Sequence, residues 1–266
     1  MARLLQESSF TVQLFDTDIH GTLSVRGLWD FLQETAGNHT QALGVAPDDL
    51  RKRGLAWILS RLRLAVERYP ALGESVTVRT WPSGVDRLFA LRDFTMSGAD
   101  GSIIARAVSA WLALDLASKR PLRIQSVFDR PALDAPRALS TDLEKLSGPA
   151  AAASELRFPV RFGDLDANRH VSNSRYVEWV VESAGPALLD NFSVSSLGVD
   201  FLAEMVFGGE VIVRTGPGGE ARPGAAPKPG TAEQTASDSR RTLDHAVVHG
   251  GNGTEAARAR TEWRPL

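Results

Sequence analysis

Cysteine is missing altogether from the 266 residues. Its absence excludes disulfides, thiolate nucleophiles and cysteine-based zinc or iron–sulfur sites, so any chemistry must run on oxygen and nitrogen. An excess of one charge sign is missing too, because 30 Lys and Arg stand against 32 Asp and Glu, a net charge of −2. No global field draws the chain onto nucleic acid or an anionic membrane, and an acidic partner has to be met by a local patch. Nowhere do eighteen apolar residues run together, so no membrane-spanning helix is expected. The first residues, Met1-Ala2-Arg3-Leu4-Leu5-Gln6-Glu7, hold no apolar signal core, and a cytoplasmic protein without signal or transit peptide is expected. Histidine is scarce, with 5 in all and no H-E-x-x-H pattern. Glycine-rich stretches lack the Gly-Lys-Ser/Thr context of a phosphate cradle, so neither a metal nor a nucleotide phosphate is anticipated.

What is present is ample apolar material, 43% of the chain, and a repeat. At an offset of 148 residues Asp16 pairs with Asp164, Asp18 with Asp166, Glu34 with Glu182, Ala36 with Ala184 and Gly37 with Gly185. Further on, Val78-Arg79-Thr80-Trp81-Pro82 matches Val213-Arg214-Thr215-Gly216-Pro217 at a shorter offset. Each half opens with an expected strand, 10–15 or 156–162, then an acidic turn and an amphipathic helix. The helix is marked by Leu28, Phe31, Leu32 and Thr35 in the first half and by Tyr176, Trp179, Val180 and Ser183 in the second.

A run of strands follows in each half, at 57–67, 75–81, 88–97 and 103–115, then at 193–205, 210–215, 242–249 and 256–263. One helix followed by antiparallel strands is an α+β pattern in which the sheet wraps the helix. The expected division is 1–125, a linker at 126–155 with a short helix around 139–146, and 156–266. Within the last part, 216–239 reads as a flexible insertion.

The candidate chemistry lies in Asp166-Ala167-Asn168-Arg169-His170, just ahead of the second helix. A carboxylate, a carboxamide and an imidazole stand at alternate positions, which in extended chain share one face. An imidazole exchanges protons near neutral pH, and the other two groups orient it or donate to developing negative charge. Asp and Asn are equally ordinary turn and cap residues, so a structural turn is the competing reading. The corresponding positions of the first half hold Asp18, His20 and Thr22.

These residues resemble the acyl-acyl-carrier-protein thioesterases of plant plastids and bacteria, over nearly the whole chain. The likeness is carried in the first half by Leu32-Gln33-Glu34-Thr35-Ala36-Gly37-Asn38-His39, Arg68-Tyr69-Pro70 and Ala110-Trp111. In the second half it is carried by Asp164 through Asn173, by Tyr176 and by Arg260-Thr261-Glu262-Trp263-Arg264-Pro265. It implies a tandem hot-dog fold, each half a long helix wrapped by an antiparallel sheet. It also implies hydrolysis of fatty acyl-acyl carrier protein to free fatty acid, which ends chain elongation, with no cofactor.

Carried over residue by residue, the family's functional positions fall on Asp166, Asn168, His170 and Glu204. Met205 stands where plant members often carry a cysteine. His170 is expected as general base, Asn168 as donor and Glu204 as the group that holds the imidazole or a water molecule, while Asp166 either orients its neighbours or attacks the acyl group. Trp29, Phe31, Leu32 and Trp57 are candidates to line an acyl tunnel or are simply core. Acyl carrier protein is the expected partner, met by Arg51-Lys52-Arg53 or Lys119-Arg120, and a homodimer is left open. The alternatives are a hot-dog acyl-CoA thioesterase or an inactive acyl- or carrier-binding module.

Overall fold

Ser24 starts the main helix of the first half. Its hydroxyl accepts from the Gly27 amide at 3.0 Å, and Gly44, left-handed at φ 71°, ends helix α1 (Val25–Leu43). Leu28, Phe31, Leu32, Thr35, Ala36 and His39 recur at spacings of three and four on its buried face. The computed structural model describes residues 4–127, 137–141, 143–219 and 240–266, and its chain divides into two units, Met1–Leu139 and Ser140–Leu266.

In the first unit the strands are β1 (Gln6–Thr11), β2 (Leu55–Val66), β3 (Ser75–Asp86), β4 (Phe89–Gly98), β5 (Ile103–Asp115) and β6 (Pro121–Leu122). They form an antiparallel sheet in the order β1-β3-β4-β5-β2, with β6 beside β5. A short helix, α2 (Pro47–Lys52), follows α1.

The second unit repeats the plan with β7 (Ser154–Pro159), β8 (Phe192–Phe201), β9 (Glu210–Pro217), β10 (Arg241–His249) and β11 (Glu255–Pro265). Their antiparallel order is β8-β11-β10-β9-β7. Its helix is shorter, α3 (Asn173–Glu182) being followed by α4 (Pro186–Leu189). Gly185 at φ 84° and Pro186, which has no amide to donate, separate the two.

Four sequence expectations need correction. The opening strands end earlier than anticipated, and Leu14–Asp16 and Phe162–Asp164 are single 3₁₀ turns. In each, the Asp carboxylate folds back to accept an amide, Gln13 N to Asp16 at 2.9 Å and Arg161 N to Asp164 at 2.7 Å. The strand expected over 193–205 stops at Phe201, because Leu202 N and Ala203 N both turn to the Ala256 carbonyl, 2.9 and 3.2 Å away. No helix appears among the described residues of 139–146, where Asp200 Oδ2 takes the Leu146 amide at 2.8 Å. Of the expected insertion, Gly216 and Pro217 complete β9, and 220–239 lies outside the described residues.

Beneath α3 lies a buried polar network. His245 Nδ1 is 3.0 Å from both Ser183 Oγ and Thr215 Oγ1, and its Nε2 is 2.9 Å from Thr261 Oγ1. Burial pushes this imidazole down to about 4, so it is neutral in the fold, whereas the unfolded chain takes up its proton near 6.5. The unfolded state therefore binds more protons between those values, and stability falls as pH drops through that window. The loss approaches about 3 kcal/mol. Urea unfolding at pH 7.5 and 4.5 should show it, with a smaller pH dependence in His245→Gln; an unchanged pH dependence in that variant would refute the role of His245.

Candidate active site

The five-residue motif is a turn, not extended chain, which corrects the idea that alternation alone sets its side chains on one face. Asp166 N donates to His170 O at 2.8 Å and Arg169 N to Asp166 O at 3.0 Å, closing a tight loop. The Asp166 carboxylate is folded over this loop. Its Oδ1 accepts from the amides of Asn168 at 2.8 Å and His170 at 3.2 Å, and its Oδ2 lies 3.4 Å from Asn168 Nδ2.

The turn is then docked onto the segment after β8. His170 pairs in antiparallel fashion with Val206, and Val171 N donates to Met205 O at 2.9 Å. This crossing brings Glu204 beside the imidazole, with Oε2 3.4 Å from His170 Nε2. Glu204 thus lies in a loop and not on a strand. Its side chain is 59% exposed and that of His170 37%, so the pair is open to solvent and to a substrate. Asp166 and Asn168 are exposed as well. Met205 is buried and contributes its carbonyl.

The first unit builds the same turn without the chemistry. Asp18 N donates to Thr22 O at 2.9 Å and Gly21 N to Asp18 O at 3.1 Å, while Asp18 Oδ1 accepts from the amides of His20 and Thr22 at 3.0 and 3.3 Å. Thr22 pairs with Ala71, and Leu23 N donates to Pro70 O at 2.8 Å. The backbone pairing therefore makes Tyr69 the counterpart of Glu204, as Thr22 is the counterpart of His170. The frame is duplicated, but only the second unit has an imidazole at the turn's last position with a carboxylate beside it; the first unit's imidazole, His20, stands at the position of Asn168.

Two features near the site escaped sequence reasoning. Tyr176, buried on α3, donates its hydroxyl to Ala203 O at 3.3 Å, pinning the residue before Glu204. Burial raises this phenol well above its usual range, so it stays a donor. Phe162 and Phe207 are exposed and meet edge-on at 6.2 Å, flanking the crossing. The repeat was the available signal, because the aligned positions Leu14 and Leu72 are exposed and apolar too. A cleft of about 290 Å³ lies elsewhere in the unit, lined by Phe158, Arg161, Asp164, Arg175 and Trp179, and contains neither His170 nor Glu204. The His170–Glu204 pair therefore lies outside this cleft, on the exposed surface.

The acyl-tunnel candidates fall into two groups within the first unit. Trp29, Phe31 and Leu32 are buried along α1, with Phe31 stacked on Phe10 at 4.4 Å and the Trp29 indole nitrogen without a hydrogen-bond partner. Trp57 donates to Val45 O at 3.0 Å and packs on a separate cluster around Leu50, Leu55 and Ile124.

Arg169 closes the second-unit turn at φ 65°, where the first unit uses Gly21 at φ 71°. A side chain in this left-handed region costs on the order of 1 kcal/mol. Arg169→Gly should therefore raise the unfolding free energy by up to about 1 kcal/mol. Urea denaturation checks this, and clear destabilisation by the substitution would contradict the strain argument.

Comparison with known proteins matches both units. Residues 4–129 match the acyl-ACP thioesterase N-terminal domain and residues 148–265 the acyl-ACP thioesterase C-terminal domain. A chloroplastic palmitoyl-acyl carrier protein thioesterase of Cuphea hookeriana is 28% identical over 98% of this chain, which spans 63% of that relative's length. A chloroplastic oleoyl-acyl carrier protein thioesterase of Coriandrum sativum is 29% identical over 98% of the chain and 77% of its own length. Among solved structures, the 12:0-ACP thioesterase of Umbellularia californica superposes with a TM-score of 0.80 at 24% identity, covering 100% of this chain and 96% of that one. An acyl-ACP thioesterase of Bacteroides thetaiotaomicron gives 0.76 at 22% identity, covering 98% of each. The likeness confirms the tandem hot-dog fold, and with both of its domains matched in order the chain belongs to the acyl-ACP thioesterase family.

Proposed function

We propose that the protein hydrolyses the thioester between a fatty acyl chain and acyl carrier protein, releasing free fatty acid and the carrier thiol. The observation that carries this reading is the His170–Glu204 pair, seated on a turn whose copy in the first unit has Thr22 and Tyr69 instead.

His170 takes a proton from water as the water oxygen attacks the thioester carbon. The carbon–sulfur bond then breaks, and the imidazolium returns that proton to the departing sulfur. Glu204 holds the imidazole and stabilises its charged form. Asn168 donates toward the carbonyl oxygen as it gains negative charge. The first amides of α3 are a second source of donors. The Ser172 hydroxyl engages Ser174 Oγ at 2.9 Å instead of capping them, unlike Ser24 on α1.

Asp166 is assigned an orienting role, since both its oxygens already serve the turn. Trp29, Phe31 and Leu32 are proposed as acyl-chain contacts because they share one helix, whereas Trp57 anchors the neighbouring cluster. Trp29→Leu should shift the chain lengths released while leaving turnover in place; an unchanged chain-length profile would remove that assignment.

The main test is release of fatty acid from acyl carrier protein by purified enzyme. His170→Ala and Glu204→Ala should each lower kcat by about a hundredfold or more with little change in KM. Rates equal to wild type would sink the assignment. The same acyl group on coenzyme A should turn over more slowly, and a preference for coenzyme A would favour the acyl-CoA reading.

A further inference from the structure

Two basic stretches that lie far apart in sequence meet at one corner of the first unit. Arg51, Lys52 and Arg53 end α2, and Lys119, Arg120 and Arg123 flank β6; all six are exposed. The corner is held from both sides. Leu116 N donates to Gly54 O at 2.8 Å, and both terminal nitrogens of Arg53 reach Val127 O at 3.2 Å. Beneath them Leu50, Leu55, Ala113, Ile124 and Val127 form one apolar cluster.

The β5–β6 connection is itself fixed. Asp115 Oδ1 accepts from Ser118 N at 2.7 Å and Ser118 Oγ at 2.8 Å, bonds that lower this carboxyl below its usual range. Among the described residues of 46–54 and 113–127 the carboxylates are engaged locally, Asp48 with Arg51 at 3.2 Å, Asp49 with the Ala46 amide at 3.2 Å, and Asp115 with Ser118. Six cations thus face three occupied carboxylates in a chain whose net charge is −2. Among the described residues no carboxylate forms an ion pair with Lys52, Lys119, Arg120 or Arg123. The positions of Arg51–Arg53 at a helix C-terminus account for their tolerance there. They do not account for the second stretch being locked against them.

We propose that this corner is a docking surface for an acidic folded protein, namely the carrier that presents the acyl group. The proposal rests on the function given above. No large exposed apolar side chain accompanies the cations among the described residues of 50–54 and 115–124, so the patch offers charge without an apolar wedge for a bilayer. Long-range attraction of this kind acts mainly on encounter and is weakened by salt.

The test is the triple variant Lys52→Glu, Arg120→Glu, Arg123→Glu in the full chain. KM for acyl carrier protein should rise at least about tenfold at low salt with kcat nearly unchanged, and the salt dependence of the wild-type KM should disappear. Hydrolysis of the same acyl group on uncharged N-acetylcysteamine should not change. An unaltered KM for the carrier substrate overturns the proposal. Equal damage on both substrates also does so, because it points to the fold. So does loss of binding to phosphatidylglycerol vesicles with KM unchanged, because it makes the patch a lipid surface. Calorimetric titration with carrier protein bearing no acyl group reads docking without turnover. It separates failure of this surface from failure of the hydrolase reading.

Discussion

A single carboxylate folded back over its own backbone sets the geometry on which the candidate site depends. Asp166 and Asp18 each gather two amides of the following residues and close a five-residue turn. Only because that turn is tight does its last residue present a free backbone edge to the segment beyond it, pairing His170 with Val206 and Thr22 with Ala71. Glu204 reaches the imidazole through this crossing, not through any property of its own neighbourhood in sequence. The order of causes runs from a local side-chain-to-backbone bond, through a two-residue bridge, to the imidazole and carboxylate proposed to move protons.

The duplicate frame separates structure from chemistry within one molecule. The first unit has no imidazole at the turn's end, yet it keeps the aspartate and the same hydrogen bonds. The aspartate is therefore needed to build the turn whether or not catalysis follows. In the second unit the turn's end and the residue beside it are His170 and Glu204, and the turn is completed by a strained arginine where glycine would be unstrained. Buried polar networks also differ between the halves. His245 sits among three hydroxyls in the second, whereas His39 Nδ1 faces the guanidinium of Arg92 at 3.0 Å in the first.

The sequence made some of this visible and hid the rest for identifiable reasons. The repeat was legible because turn-forming aspartates and helix faces recur at a constant offset of 148 residues. The link from His170 to Glu204 was not legible from local pattern. The second unit is thirteen residues shorter between turn and crossing, so the register slips to Tyr69 opposite Glu204, and only the backbone pairing reveals it. The family resemblance supplied Glu204 where periodicity would have left it a surface residue. Alternation misled at the motif itself, since period-two reasoning presumes extended chain while an Asp–x–Asn spacing favours a turn. The strand expected through 205 and the helix around 139–146 failed similarly, to tertiary bonds from Ala256 and Asp200 that no local window contains.

Asp166 shapes the turn, and in the proposed reaction water, not Asp166, attacks the acyl carbon. Single-turnover hydrolysis of acyl carrier protein in water enriched in heavy oxygen tests it most directly. Mass analysis should find the label in the released fatty acid and none in the peptide containing Asp166. Label incorporated into the Asp166 carboxylate would show a mixed-anhydride intermediate and contradict the claim.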